Sequence, residues 1–133
     1  MNQEDTKDKR ATHAMVIEKV KGLQIRNLTI AWKEDRVEPK WGSALILKDV
    51  KDVTIDSFSG RQGLKTSSAP VIVMENVSDG IIRNSAALEG TKTFVHISGS
   101  ETHDLVFQSN QIRKAQTGIT YESDRLKKTV DVK

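Results

Sequence analysis

Between residues 14 and 87 the apolar positions fall in short alternating runs that recur, with no 3.6-residue helical rhythm. The clearest unit is residues 43–60, SALILKDVKDVTIDSFSG. It reads as two short strands, Leu45-Ile46-Leu47 and Val53-Thr54-Ile55, joined by a polar turn over 48–52. Alternation with a period of two predicts strands with one face buried. The pattern precedes this unit over 14–30 (AMVIEKVKGLQIRNLTI) and follows it over 71–87 (VIVMENVSDGIIRNSAA). A looser copy runs through 94–112, and a partial one begins at Gly118. Taking Ile17, Leu47, Met74, Ile97 and Tyr121 as equivalent gives steps of 30, 27, 23 and 24 residues. Strand-rich repeats of this length predict a solenoid, each turn stacked on the one before.

Charge tests the register, because stacking sets equivalent residues side by side. The column Glu18, Lys48, Glu75 alternates in sign, and so does Arg26, Asp56, Arg83. Opposite charges on neighbouring strands stabilise pairing and like charges oppose it. The apolar columns agree: Ile17/Leu47/Met74/Ile97, Val20/Val50/Val77, Leu23/Val53/Gly80/Leu105 and Ile25/Ile55/Ile82/Phe107. A polar column, Asn27/Ser57/Asn84 with Asn110 one residue out of step, reads as an internal turn ladder bonded from rung to rung. The fold expected is all-β: a right-handed, single-stranded parallel β-helix of about four and a half rungs.

Composition narrows the function classes. Hydrophobic residues make up 36% of the chain and the mean hydropathy is −0.48, which a solenoid tolerates because each rung buries only a narrow inner stripe. The 133 residues allow one domain. The 21 basic and 18 acidic residues are interleaved, with a net charge of +3, which argues against a nucleic-acid partner and its clustered basic face. Without cysteine there is no disulfide framework and no thiolate metal site, and the compartment stays open. The first residues do not read as a signal peptide, and no apolar run approaches the roughly 18–20 residues of a membrane span.

Three segments follow. Residues 1–12 are a polar leader without periodicity, read as disordered; 13–121 form the β-helix; 122–133 are a charged tail or edge strand, apolar only at Leu126, Val130 and Val132. The insertion 31–42 holds both tryptophans, 61–69 is short and basic, and 89–93 is shorter still. Insertions between rungs lie on the rim of the stack, where solenoids bind ligands.

The runs HAMVIEKVKGLQIRNLTIAW, KWGSALILKDVKDVTIDSFSGRQG, APVIVMENVSDGIIRNS and EGTKTFVHISG together resemble the C-terminal rungs of bacterial glycoside hydrolase family 28-like proteins. These are polygalacturonase-like enzymes of the pectin-lyase-like superfamily. The resemblance covers roughly residues 13–121, and its matched positions are structural. It implies a pectin-lyase-like helix, a glycoside hydrolase parent that is typically secreted or periplasmic, and a pectic or acidic polysaccharide as partner. The family's Asn-Thr-Asp, Asp-Asp, Gly-His-Gly and Arg-Ile-Lys motifs have no counterpart; Gln111-Ile112-Arg113-Lys114 has the wrong order. No catalytic residue is carried over, and no cofactor or metal is implied.

Candidate sites can still be weighed. Asp52, Asp79 and Asp104 occupy equivalent turns, with spacing that suits a carboxylate pair or a calcium site, but aspartate is also a common turn residue. Trp32 and Trp41, with Arg36 and Arg61, read either as a rim for acidic sugars or as loop packing. His13, His96 and His103 show no metal spacing. The alternation turns Val16, Ile46, Val73, His96 and Thr120 outward, and the three apolar members call for a cover. That cover is a folded-back loop, a second chain or a missing segment of the parent. The function expected is a non-catalytic C-terminal fragment of a pectin-active, family 28-like protein with at most a peripheral sugar-binding rim. The alternative is a self-associating solenoid module without carbohydrate activity. Either way a homo-oligomer is expected, joined through an exposed helix end or through the Val16/Ile46/Val73 wall.

Overall fold

A computed structural model describes residues 15–30, 42–63 and 68–133. The strands are β1 (Met15–Glu18), β2 (Lys21–Arg26), β3 (Thr29–Ile30), β4 (Leu45–Asp56), β5 (Ser59–Gly60), β6 (Ile72–Arg83), β7 (Ala86–Ala87), β8 (Thr93–Ser98), β9 (His103–Gln108), β10 (Thr117–Tyr121) and β11 (Val130–Val132). One short helix, α1 (Asp124–Lys127), lies between the last two. Every pairing described is parallel, and the chain stacks as a β-solenoid of about four turns.

Each turn contributes to three walls. The first stacks β1, the front of β4, the front of β6, β8 and β10. The second stacks β2, the rear of β4, the rear of β6, β9 and β11. A narrow third wall stacks β3, β5 and β7 and ends at the bridge from Ala86 to Gln111. The equivalences read from the repeats hold: Ile17 pairs with Leu47, Leu47 with Met74, Met74 with Ile97, and Ile97 with Tyr121.

The turn expected over 48–52 is not a break between two strands. The ladder runs on through Asp56, bent where Asp49 and Asp52 take φ of 54° and 62°. Left-handed residues recur in three stacked columns: Lys19/Asp49/Asn76/Gly99, Gly22/Asp52/Asp79/Asp104 and Asn27/Ser57/Asn84/Ser109. Nine of these twelve are Asp, Asn or Gly, the residues that enter this region at least cost. In β4 and β6 the same register therefore resumes on either side of the bends at Asp49/Asn76 and Asp52/Asp79.

Ile55 is fully buried between Ile25 and Ile82, and Val53 lies between Leu23 and Gly80. The rings of Phe58, Phe94 and Phe107 form a chain across the interior, with centroids 6.4 Å apart at each step. Tilted and edge-on contacts of this kind add to the burial term. A residual space of about 10 Å³ beside Gly80 and Leu105 is apolar and scarcely water-sized, so this part of the core is packed.

The internal polar ladder lies one residue beyond the column expected. Asn27 and Asn84 are exposed corner residues. The next positions do the bonding: Phe58 N–H donates to Ser85 Oγ at 3.0 Å, and Ser85 N–H donates to Asn110 Oδ1 at 2.9 Å. Asn110 Nδ2 then donates to the Ile82 carbonyl at 2.8 Å. Left-handed backbone turns the corner side chains outward, so the inward position falls to the residue that follows.

Candidate functional site

The rim expected from the sequence divides. Trp32, Arg36 and Trp41 lie outside the described residues. Arg61 is only 7% exposed, and its Nη1 donates to the Gln62 carbonyl at 2.9 Å and the Gly63 carbonyl at 3.3 Å. Beside it, Gln62 is fully buried, donating from Nε2 to the Gly90 carbonyl at 2.7 Å and accepting from Lys92 N–H at 3.2 Å. A buried amide satisfied on both ends fixes the backbone around it. The root of the basic insertion is therefore locked to the next turn. Sequence reasoning missed Gln62, since nothing in RQG marks a glutamine as internal.

The aspartate column stacks as expected, with Asp79 and Asp104 equivalent on adjacent turns. Donor atoms of Asp79, His103 and Asp104 lie within 4.8 Å of one another, a set of two carboxylates and an imidazole that suits a divalent cation. All three side chains are exposed, and His103 Nδ1 is already 2.7 Å from Asp104 Oδ2. Left-handed corners account for both aspartates without any ligand.

The outward column is continuous in register, from Val16 through Ile46, Val73 and His96 to Thr120. His96 Nδ1 and Thr120 Oγ1 are 2.8 Å apart, so the lower end of the column is hydrogen-bonded. The upper end is apolar, and Val16 is 49% exposed. Ile46 and Val73 are half-buried.

Among the described residues, both ends of the stack carry strands paired on one side only, and α1 lies at the C-terminal one. At the C-terminal end, Leu126 of α1 is fully buried, but among the described residues β11 pairs only with β9 and β10 only with β8, and Val132 is 58% exposed. At the N-terminal end, β1 and β2 pair among the described residues only with β4. Met15, Ile17 and Leu23 are only partly covered there. A strand edge with free N–H and C=O groups is a template for another strand.

Charge patterns that edge. Arg83 Nε donates to Asp56 Oδ2 at 2.9 Å, and Lys48 Nζ is 4.0 Å from Glu75. Hydrogen bonds from Ser57 and then Arg83 hold the Asp56 carboxyl below its ordinary range. Glu18 and Arg26, which head the same two columns, are exposed at the edge.

Comparison with known proteins found no matching family model, no matching curated protein and no matching solved structure.

Proposed function

We propose that the chain is a non-catalytic closing module of a larger parallel β-helix, receiving further rungs on β1 and β2 and ending the stack with α1 and β11. The observation that carries this reading is that α1 buries Leu126 against one end, while Ile17 and Leu23 lie partly covered on the strands at the other.

The finer reading is that the parent is a pectin-active, family 28-like glycoside hydrolase and that this part carries at most a peripheral acidic-sugar-binding rim. Its support is the rung-by-rung resemblance in sequence; Arg61 is buried at the root of the insertion, its Nη1 donating to two main-chain carbonyls. A second reading, a self-associating module, draws on Val16 at the head of the outward apolar column.

The test takes the purified chain through three measurements. Incubation with polygalacturonate should release no reducing ends above buffer; turnover lost on changing Asp79 or Asp104 to Asn would overturn the non-catalytic reading. Binding to acidic glycans that disappears in Trp41→Ala supports the sugar rim. Light scattering across a concentration series tests self-association, which Val73→Lys should weaken if the outward wall is the contact.

A further inference from the structure

Building on the reading of β1 and β2 as a receiving edge, we infer that this edge selects its occupant by charge: a parallel β-rung with a cation over Glu18 and an anion over Arg26. Within the stack the signs alternate along both columns, Glu18–Lys48–Glu75 and Arg26–Asp56–Arg83. The inner members are taken, because Lys48 reaches Glu75 and Asp56 is bonded to Arg83. Among the described residues no ion pair engages Glu18 or Arg26, so both charges are available to the next rung outward.

The same register excludes one obvious occupant. A second copy stacked head to tail would place its last turn on this edge. In that turn Glu122 follows Tyr121, the partner of Ile97, and so occupies the Glu18 column; its N–H donates to the Ile97 carbonyl at 2.9 Å. Lys133 follows Val132, the partner of Phe107, and occupies the Arg26 column. Head-to-tail stacking therefore sets Glu122 against Glu18 and Lys133 against Arg26, two like-charge contacts across adjacent strands. The C-terminal end is thus charged to repel the N-terminal edge. That guards a module with an open edge against growing into a fibre. The sequence that satisfies these two registers is of the type found in the second turn, with lysine and aspartate there, although its Lys51 falls over Lys21 as it does within the stack.

A synthetic peptide of residues 43–60 tests the rule, with a control peptide carrying Lys48→Glu and Asp56→Arg in the same apolar frame. Each is fluorescently labelled and titrated into the full chain at low salt. The native peptide should bind roughly tenfold more tightly than the exchanged one. The preference should shrink as salt is raised. It should vanish in the chain carrying Glu18→Gln and Arg26→Gln, whose fold is checked by circular dichroism. Equal binding of both peptides would overturn the charge rule while leaving the receiving edge in place. Binding of neither at millimolar peptide would overturn both. A preference that survives the glutamine variant would place recognition elsewhere and also sink the inference.

Discussion

Arg83 reaches back one turn to Asp56, its Nε 2.9 Å from Oδ2, in the register that alternating charge in the sequence predicts. Ser57 Oγ donates to the other carboxylate oxygen at 2.9 Å, and together these bonds hold Asp56 ionised below its ordinary value of 3.8. A carboxyl whose folded pKa is depressed stabilises the fold fully above the unfolded pKa. It loses that contribution as the pH falls through the lower, folded value. Ser57→Ala, and next Arg83→Met, should move Asp56 back up toward 3.8 in a carbon-detected NMR titration. An unchanged titration in both variants would show that neither bond sets its ionisation.

Ile55 and Thr54 are adjacent but face opposite ways, one fully buried and one half-exposed. Ile55→Ala should cost about 2–5 kcal/mol in urea unfolding, because it opens a hole between Ile25 and Ile82. Thr54→Ala should stay within roughly 0.5 kcal/mol. Similar losses for the two would contradict the facing of β4.

Gly99 and Gly22 both have positive φ, 95° and 78°, yet differ in their surroundings. A Cβ at Gly99 would clash with Asn76 Oδ1 and lie 2.6 Å from Asn76 N, whereas at Gly22 it would meet nothing within 4 Å. Gly99→Ala should therefore destabilise by about 1–3 kcal/mol beyond the loss for Gly22→Ala, as overpacking against backbone does. Thermal melts of the two variants make the comparison.

Ser85 accepts the buried N–H of Phe58 from the turn before. Ser85→Ala leaves that donor without its partner and should cost about 1–3 kcal/mol. Hydrogen exchange at the Phe58 amide should accelerate in the same variant, whereas a merely weaker core would speed exchange across the whole rung.

The register was legible in the sequence because a parallel stack repeats both its apolar positions and its charge alternation. Two charge columns and four apolar ones agreed in placing Ile17, Leu47, Met74 and Ile97 in line. The corners were legible only as polar. A run such as Lys48-Asp49-Val50-Lys51-Asp52 looks like a chain-reversing turn, because sequence does not distinguish a left-handed bend inside a continuous ladder from a loop. The same ambiguity moved the polar ladder by one residue, from Asn84 to Ser85. As for the site, the outward facing of Val16 follows from alternation alone. The engagement of Arg61 with its neighbours' carbonyls depends on an insertion whose path no repeat dictates.

The parallel register also governs how fast this chain reaches its fold. Equivalent residues lie 23 to 30 positions apart, so no ladder bond forms without closing a loop of that size. Such separations, roughly 0.2 of the chain, belong with topologies that fold in milliseconds to seconds. Closing the first pair of turns costs loop entropy before any edge exists to dock on; later turns add to a template already in place. β4 and β6 share the longest register, from Leu45–Ile72 to Asp56–Arg83 with only the two corner positions unpaired, and that pair is the natural nucleus. Destabilising changes at Val50 or Val77 should slow refolding in stopped-flow measurements, while those at Val130 should mainly hasten unfolding.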